Sequence, residues 1–172
     1  MTRKFLSLAL GASLVLGAFS VAGAHTATVA DANDTTSALD LASAKLGHSR
    51  TSYKGRVATH DAFVNQVLGT AGDIYVDLDL AGKKRFDHYV WINTGSKLTG
   101  KVYKIGRTRA LGRATVKRVD TKTLAFSFSK SLVKRTKKTV GFRARSRWQQ
   151  PPDAYGVSTL LTDKTARGSH RF

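Results

Sequence analysis

Two short segments of the chain contain closely spaced aromatic and polar side chains that could bind a ligand or a metal ion. In each, polar and aromatic residues alternate with aliphatic ones, so one face of an extended strand would display them together. The first segment presents Asp73, Tyr75, Asp77 and Asp79, and the second presents Asp87, Tyr89, Trp91 and Asn93. Aromatic rings stack on the apolar faces of sugars, and short polar groups hydrogen-bond to sugar hydroxyls. The pattern therefore predicts a carbohydrate site in which Tyr75, Tyr89 and Trp91 stack while Asp77, Asp79 and Asn93 orient the ligand.

The aspartates of these segments allow two other interpretations. Calcium takes several oxygen ligands, and four carboxylates could supply them: Asp73, Asp77, Asp79 and Asp87. Alternate residues of a strand lie roughly 7 Å apart, however, so a loop would have to fold over the strands to complete such a site. The other interpretation is structural, because three arginines have the same spacing and could neutralise the aspartates from a neighbouring strand: Arg143, Arg145 and Arg147.

Positive charge is concentrated in predicted turns. The chain has a formal net charge of +18 and a pI near 10.7, and such a field attracts polyanions. The basic turn residues are Lys83, Lys84, Arg85, Arg107, Arg109, Arg113, Lys134, Arg135, Lys137 and Lys138. They predict docking of an anionic wall polymer or acidic glycan through counterion release. The alternative is a solvated surface with no dedicated partner.

The sequence gives little support for catalysis. It contains no nucleophile elbow, no HExxH and no paired metal-ligand spacing. His60-Asp61 and Asp87-His88 are neighbours along the chain, which on a strand would send the two side chains to opposite faces. Because no glycine-rich phosphate loop is present either, we expect a non-enzymatic protein without a cofactor, with a hydrolase as the less favoured alternative.

The N-terminal segment has the pattern of a secretory signal peptide. Arg3 and Lys4 precede an apolar run, and small residues lead up to a cleavage site after Ala24. We therefore expect a secreted or envelope-associated bacterial protein for which nucleic acid is not the natural partner. The mature chain contains no cysteine, so disulfides cannot stabilise it.

Periodicity predicts one all-β domain. Residues 1–24 form the signal helix, 25–38 a flexible leader, 39–150 the domain and 151–172 a tail with an edge strand near Val157–Leu161. About eight short strands favour a jelly-roll-like antiparallel sandwich, and a closed eight-stranded barrel is the alternative. One helix is predicted, capped by Asp61 and stopped by Gly69.

Three sequence pieces resemble small secreted β-sandwich proteins of actinobacteria with unknown function. They are Leu39-Asp40-Leu41, Tyr75-Val76-Asp77-Leu78-Asp79 and the run Thr123–Leu132, within residues 31–148. The pattern is also distantly similar to DOMON domains and family-nine carbohydrate-binding modules. This resemblance implies an extracellular sandwich that binds a ligand such as a sugar, and it implies no catalytic residue.

Overall fold

The computed structural model describes residues 26–94, 97–135 and 137–172. Within them the chain forms eleven strands: β1 (Thr26–Ala30), β2 (Leu41–His48), β3 (Ser52–Thr59), β4 (Gly72–Asp79), β5 (His88–Thr94), β6 (Leu98–Lys104), β7 (Gly112–Arg118), β8 (Thr123–Ser129), β9 (Thr139–Gln149), β10 (Leu160–Lys164) and β11 (Gly168–Arg171). A short helix, α1 (Val67–Thr70), precedes β4, and a 3-10 turn follows β8 at Lys130–Leu132. The expected signal helix lies outside the described residues.

The strands form an antiparallel sheet that curls into a half-barrel. Along the sheet their order is β1-β2-β3-β8-β7-β6-β5-β4-β9-β10, and β11 also pairs with β9. The prediction of an all-β antiparallel protein is confirmed. The number of strands differs, since the described residues contain eleven where the sequence predicted about eight.

The two ends of the sheet contact each other. The backbone N–H of Leu41 in β2 donates to Asp163 Oδ2 in β10 at 2.7 Å. His48 Nδ1 in β2 and His170 Nε2 in β11 lie 2.8 Å apart. Strands at the start and the end of the described chain therefore pack together, although more than a hundred residues separate them.

The core lies on the concave side of the curled sheet. The aliphatic rows predicted from the alternation face inward, and so does the aromatic row of β8. Their buried side chains include Ile74, Val76, Leu78, Val90, Ile92, Leu124, Phe126, Phe128, Val140 and Phe142. Burial of these rows fixes the opposite rows of the same strands on the convex face.

A bulge at the start of β2 departs from simple alternation. The register with β3 shifts between Leu41 and Ser43, so Leu41 and Ala44 both face the core. Ala42, which lies between them, is only half-buried. The bulge is favourable because it buries the larger Leu41 side chain.

The predicted helix is reduced to a single turn. Asp61 does not cap it, because α1 begins at Val67 with Gln66 at the cap position. Upstream, the N–H of Phe63 donates to the carbonyl of Thr121 at 3.1 Å. Tertiary bonding of this backbone thus replaces the intrahelical bonds that an isolated amphipathic segment would form.

Both terminal segments contribute strands. β1 lies within residues 25–38, where the sequence predicted a flexible leader, and pairs with β2 from Thr26 to Ala30. In the tail, β10 begins at Leu160, later than the predicted edge strand, and β11 follows it. Pairing with β2 and β9 supplies the order that the weak local pattern does not.

Replacing Gly168 with Ala tests the contact between the sheet ends. A Cβ at Gly168 would lie 2.3 Å from Val29 Cγ2 and 2.7 Å from the Phe142 ring. We expect this overpacking to lower the free energy of unfolding by about 1–3 kcal/mol in urea titrations. In a Val29→Ala background the penalty should shrink, because that change removes Cγ2. An equal penalty in both backgrounds would show that β1 does not pack on β11.

Candidate binding face

The β4–β5 hairpin places the predicted aromatic side chains side by side on the convex face. Tyr75 pairs with Trp91 across the two strands, and Asp77 pairs with Tyr89. Tyr75, Tyr89 and Trp91 are half-buried, so the rings are neither in the core nor fully solvated. The Tyr75 and Tyr89 ring centroids lie 6.0 Å apart.

β6 adds a fourth ring that the sequence analysis did not assign. Tyr103 pairs with Tyr89 across β5 and β6, and the two rings stack with centroids 5.1 Å apart at 12°. Trp91 lies 6.4 Å from Tyr103. The local signal for this ring in the sequence is the alternation of the aliphatic Val102 with the aromatic Tyr103. We call Tyr75, Tyr89, Trp91 and Tyr103 the aromatic face.

Cationic side chains border the aromatic face on both sides. One row across the sheet runs from Arg145 in β9 through Tyr75 and Trp91 to Lys101 in β6 and Arg113 in β7. The Arg145 guanidinium lies 4.9 Å from the Tyr75 ring centroid, and Lys101 Nζ lies 5.7 Å from that of Trp91. These distances are within cation–π range, so each cation interacts with the ring beside it at the border of the aromatic face.

The buried carboxylate of Asp77 is fully engaged by arginines. Asp77 is 2% exposed and accepts hydrogen bonds from Arg143 Nε at 2.9 Å and from Arg145 Nε and Nη2 at 2.6 and 2.8 Å. These bonds raise the pKa of Arg145. The aspartate and arginine strands are therefore neighbours, as their shared spacing predicted, and Asp77 has little capacity left to orient a sugar.

Asp79 is also occupied by the protein itself. It is 1% exposed and accepts hydrogen bonds from Arg167 Nη2 and from the N–H of Lys83. The Arg167 guanidinium crosses directly over Gly141, where any Cβ would collide with it. Asp79 thus anchors the tail to β4 and does not form part of an open surface.

Asp73 and Asn93 lie at the end of the aromatic face. Asp73 Oδ1 accepts hydrogen bonds from Trp91 Nε1 at 2.7 Å and from Asn93 Nδ2 at 2.5 Å. Asp73 Oδ2 accepts one from the Tyr75 hydroxyl at 3.3 Å. These bonds fix the Trp91 ring. Beside it is a depression of about 450 Å³ whose polar lining includes Asp73, Trp91, Asn93, Arg147 and Gln149.

The structure does not gather the four carboxylates considered for calcium. Asp87 lies before β5 and accepts hydrogen bonds from the N–H groups of Leu80 and Ala81. Asp73, Asp77 and Asp79 are engaged as described above. In residues 26–94, 97–135 and 137–172, no acidic cluster with metal-ligand spacing includes any of the four.

Most of the basic turn residues meet at one end of the sheet. Lys83, Arg85 and Lys134 line one depression together with Lys104, and Arg107 and Arg109 line a second beside Lys104. The Lys137 side chain packs against Gly82, while Lys84 and Lys138 are exposed nearby in sequence. Two of the predicted basic turn residues lie in other surroundings. Arg113 lies on β7 beside the aromatic face, and Arg135 stacks on Phe172 at 4.2 Å.

An aspartate–histidine pair lies at the first of these depressions. His88 Nδ1 is 2.6 Å from Asp87 Oδ1, although sequence neighbours on a strand were expected to diverge. The pairing is possible because Asp87 precedes β5 and is not bound by its alternation. The described residues that line the depression include no serine, threonine or tyrosine hydroxyl that the pair could activate.

Replacing Asp77 with Asn should destabilise the fold without exposing new apolar surface. The change leaves Arg143 and Arg145 without their shared counterion. We expect a loss of about 2–3 kcal/mol, below the 3–5 kcal/mol of a fully buried pair because both arginines are about one-third exposed. Urea titration measures the loss, and Asp61→Asn, at an exposed aspartate, is the control. Equal stability of the two variants would contradict a structural ion pair.

No protein-family model, curated protein or solved structure matches this chain. Among the described residues, no helix has the length and apolar character needed to cross a membrane. The resemblance to secreted sandwich proteins accordingly stays a prediction.

Proposed function

We propose that this is an exported, non-enzymatic binding protein whose ligand is an acidic extracellular carbohydrate, such as an anionic polymer of the cell envelope. The observation that carries the proposal is the aromatic face, four half-buried rings bordered by Arg145, Lys101 and Arg113. The signal-peptide pattern of residues 1–24 supports export, which makes an envelope polymer a more natural partner than nucleic acid.

The rings have the features of a carbohydrate platform. Tyr and Trp combine an apolar surface with a polar end, so they can stack on a sugar and still bond to its hydroxyls. Trp91 is held by Asp73, and Tyr89 is held by stacking on Tyr103, so binding would order few side chains. A preorganised surface of this kind loses little entropy when a ligand binds.

The cations around the rings favour an acidic ligand over a neutral one. The charge of Asp77 is already balanced by Arg143 and Arg145. The row that runs across the sheet from Arg145 ends in Lys101 and Arg113, which are exposed. An acidic sugar on the rings would meet positive charge on both flanks. The basic end of the sheet then offers a second region where a long anionic chain could continue.

The alternative is a structural envelope protein without a small ligand. The Asp77 ion pairs favour it, because they show that part of the convex face stabilises the sheet itself. The two functions predict different results at the rings. A structural face loses stability when a ring is removed, while a binding face loses affinity.

Tyr103→Ala separates these two functions. This change removes one wall of the Tyr89 stack and should weaken binding of an acidic glycan about tenfold, or 1.4 kcal/mol, with a small change in Tm. A glycan array identifies the ligand, and calorimetric titration measures the loss. Tyr155→Ala, at a 91% exposed tail residue, should bind as the wild type does. Lost stability with no glycan bound by the wild type would favour the structural alternative.

Salt dependence identifies the cations in contact with the ligand. The association constant of an anionic ligand falls as salt concentration rises. By analogy with phosphate chains, removing a cation that contacts the ligand should make the slope of log K against log salt concentration shallower by about 0.9. We expect this shallower slope for the double variant that combines Lys101→Ala with Arg113→Ala. The matched control is Lys83→Ala with Lys134→Ala at the basic end, which should leave the slope unchanged for an acidic oligosaccharide too short to span both regions. If only the control pair changes the slope, the ligand docks on the turns and the aromatic face is not its site.

A further inference from the structure

Two carboxylates from the beginning of the described chain and one from its end meet where the ends of the sheet contact each other. Asp34 lies between β1 and β2, Asp40 immediately precedes β2, and Asp163 belongs to β10. One oxygen from each of them lies within 4.8 Å of the other two. This cluster is separate from the aromatic face and from the aspartates of β4.

Asp40 is the residue that makes this cluster unusual. It is 1% exposed, and neither of its carboxylate oxygens has a hydrogen-bond partner among the described residues. A buried carboxylate is strongly unfavourable unless it is paired, hydrogen-bonded or bound to a metal. Asp77 and Asp79, which are buried to the same degree, both have arginine partners. Asp40 is therefore a buried carboxylate for which the described residues supply no compensating partner.

A fourth acid adds negative charge to the same place. Asp31, at the end of β1, has a buried Oδ2 without a hydrogen-bond partner. Burial and the nearby Asp163 and Asp34 raise the pKa of Asp31, and burial is also the main cause that raises the pKa of Asp163. Asp163 accepts hydrogen bonds from the N–H groups of Leu41 and Lys164, but no salt bridge within the described residues reaches any of the four acids.

We propose that Asp34, Asp40 and Asp163 bind a calcium ion, with Asp31 adding charge beside them. The clustered groups are all carboxylates, and hard oxygen ligands of this kind suit calcium better than zinc or copper. Calcium accepts irregular coordination by six to eight oxygens, whereas magnesium requires near-octahedral geometry. Asp34 is exposed, so the cluster reaches from the buried Asp40 to the protein surface.

Such an ion would cross-link the beginning and the end of the described chain. Asp40 and Asp163 lie on opposite sides of the contact between β2 and β10. The chain has no cysteine, so a disulfide cannot make this connection. Because the ion binds the folded state, its binding free energy adds directly to stability.

Calcium titration of the purified full chain tests the site. After dialysis against chelator, we expect calcium to bind in equilibrium dialysis with a Kd of about 10⁻⁴–10⁻³ M, the range of extracellular modules. At a hundredfold excess over Kd, Tm should rise by about 5–10 °C. Failure to bind and an unchanged Tm would together overturn the proposal. An equal rise with magnesium would overturn the choice of calcium.

Two variants separate metal binding from a structural role of the acids. Asp34→Asn changes an exposed side chain, so it should weaken calcium binding at least tenfold while Tm in chelator stays the same. Asp40→Asn should abolish the calcium response, and in chelator its Tm should equal or exceed that of the wild type because a buried carboxylate without a partner has been removed. Asp61→Asn, at an exposed aspartate outside the cluster, is the control.

Two results with these variants would contradict the proposed calcium site. If Asp61→Asn weakens binding as much as Asp34→Asn does, the effect is one of general surface charge and the site is wrong. If Asp40→Asn lowers Tm in chelator and leaves calcium binding intact, Asp40 supports the fold and is not a ligand.

Discussion

The ion pairs of Asp77 with Arg143 and Arg145 are the interaction on which the convex face depends. Burying a carboxylate is unfavourable unless it is paired, and two arginines of β9 pair with Asp77, which is 2% exposed. This pairing accompanies the β4–β9 register, in which Tyr75 lies opposite Arg145. Two arginines share one carboxylate, so the β9 side of the aromatic face keeps a net positive charge.

Buried acids in this protein fall into two groups with different consequences. Asp77 and Asp79 are paired with arginines, so they stabilise the sheet and bind the tail to it. Asp40 has no such partner among the described residues, and it lies in a cluster with Asp34 and Asp163. In a chain with a net charge of +18, an acidic cluster without an ion pair to any described residue is a local departure from the overall field. That departure makes the contact between the sheet ends the natural place for a metal ion.

The positive charge also has two distinct arrangements. At the end of the sheet, lysines and arginines of several turns project into solvent around Lys104. On the convex face, Arg145 and Lys101 lie against aromatic rings. The first arrangement provides long-range attraction that salt screens, and the second adds contacts at short range. A long anionic polymer could use both regions at once.

The faces of the strands are a local property of the sequence. The alternation of Asp, Tyr and Trp with aliphatic residues predicts which side chains of β4 and β5 point outward, and the shared spacing of Asp and Arg indicates their pairing. The neighbours of each strand, in contrast, depend on the whole fold. It added Tyr103, moved Asp87 off the face, gave β1 a partner, and brought Asp40 to Asp163. Strand order and the curl of a sheet depend on how all the apolar rows pack together, and a periodicity read within one segment contains no information about that packing.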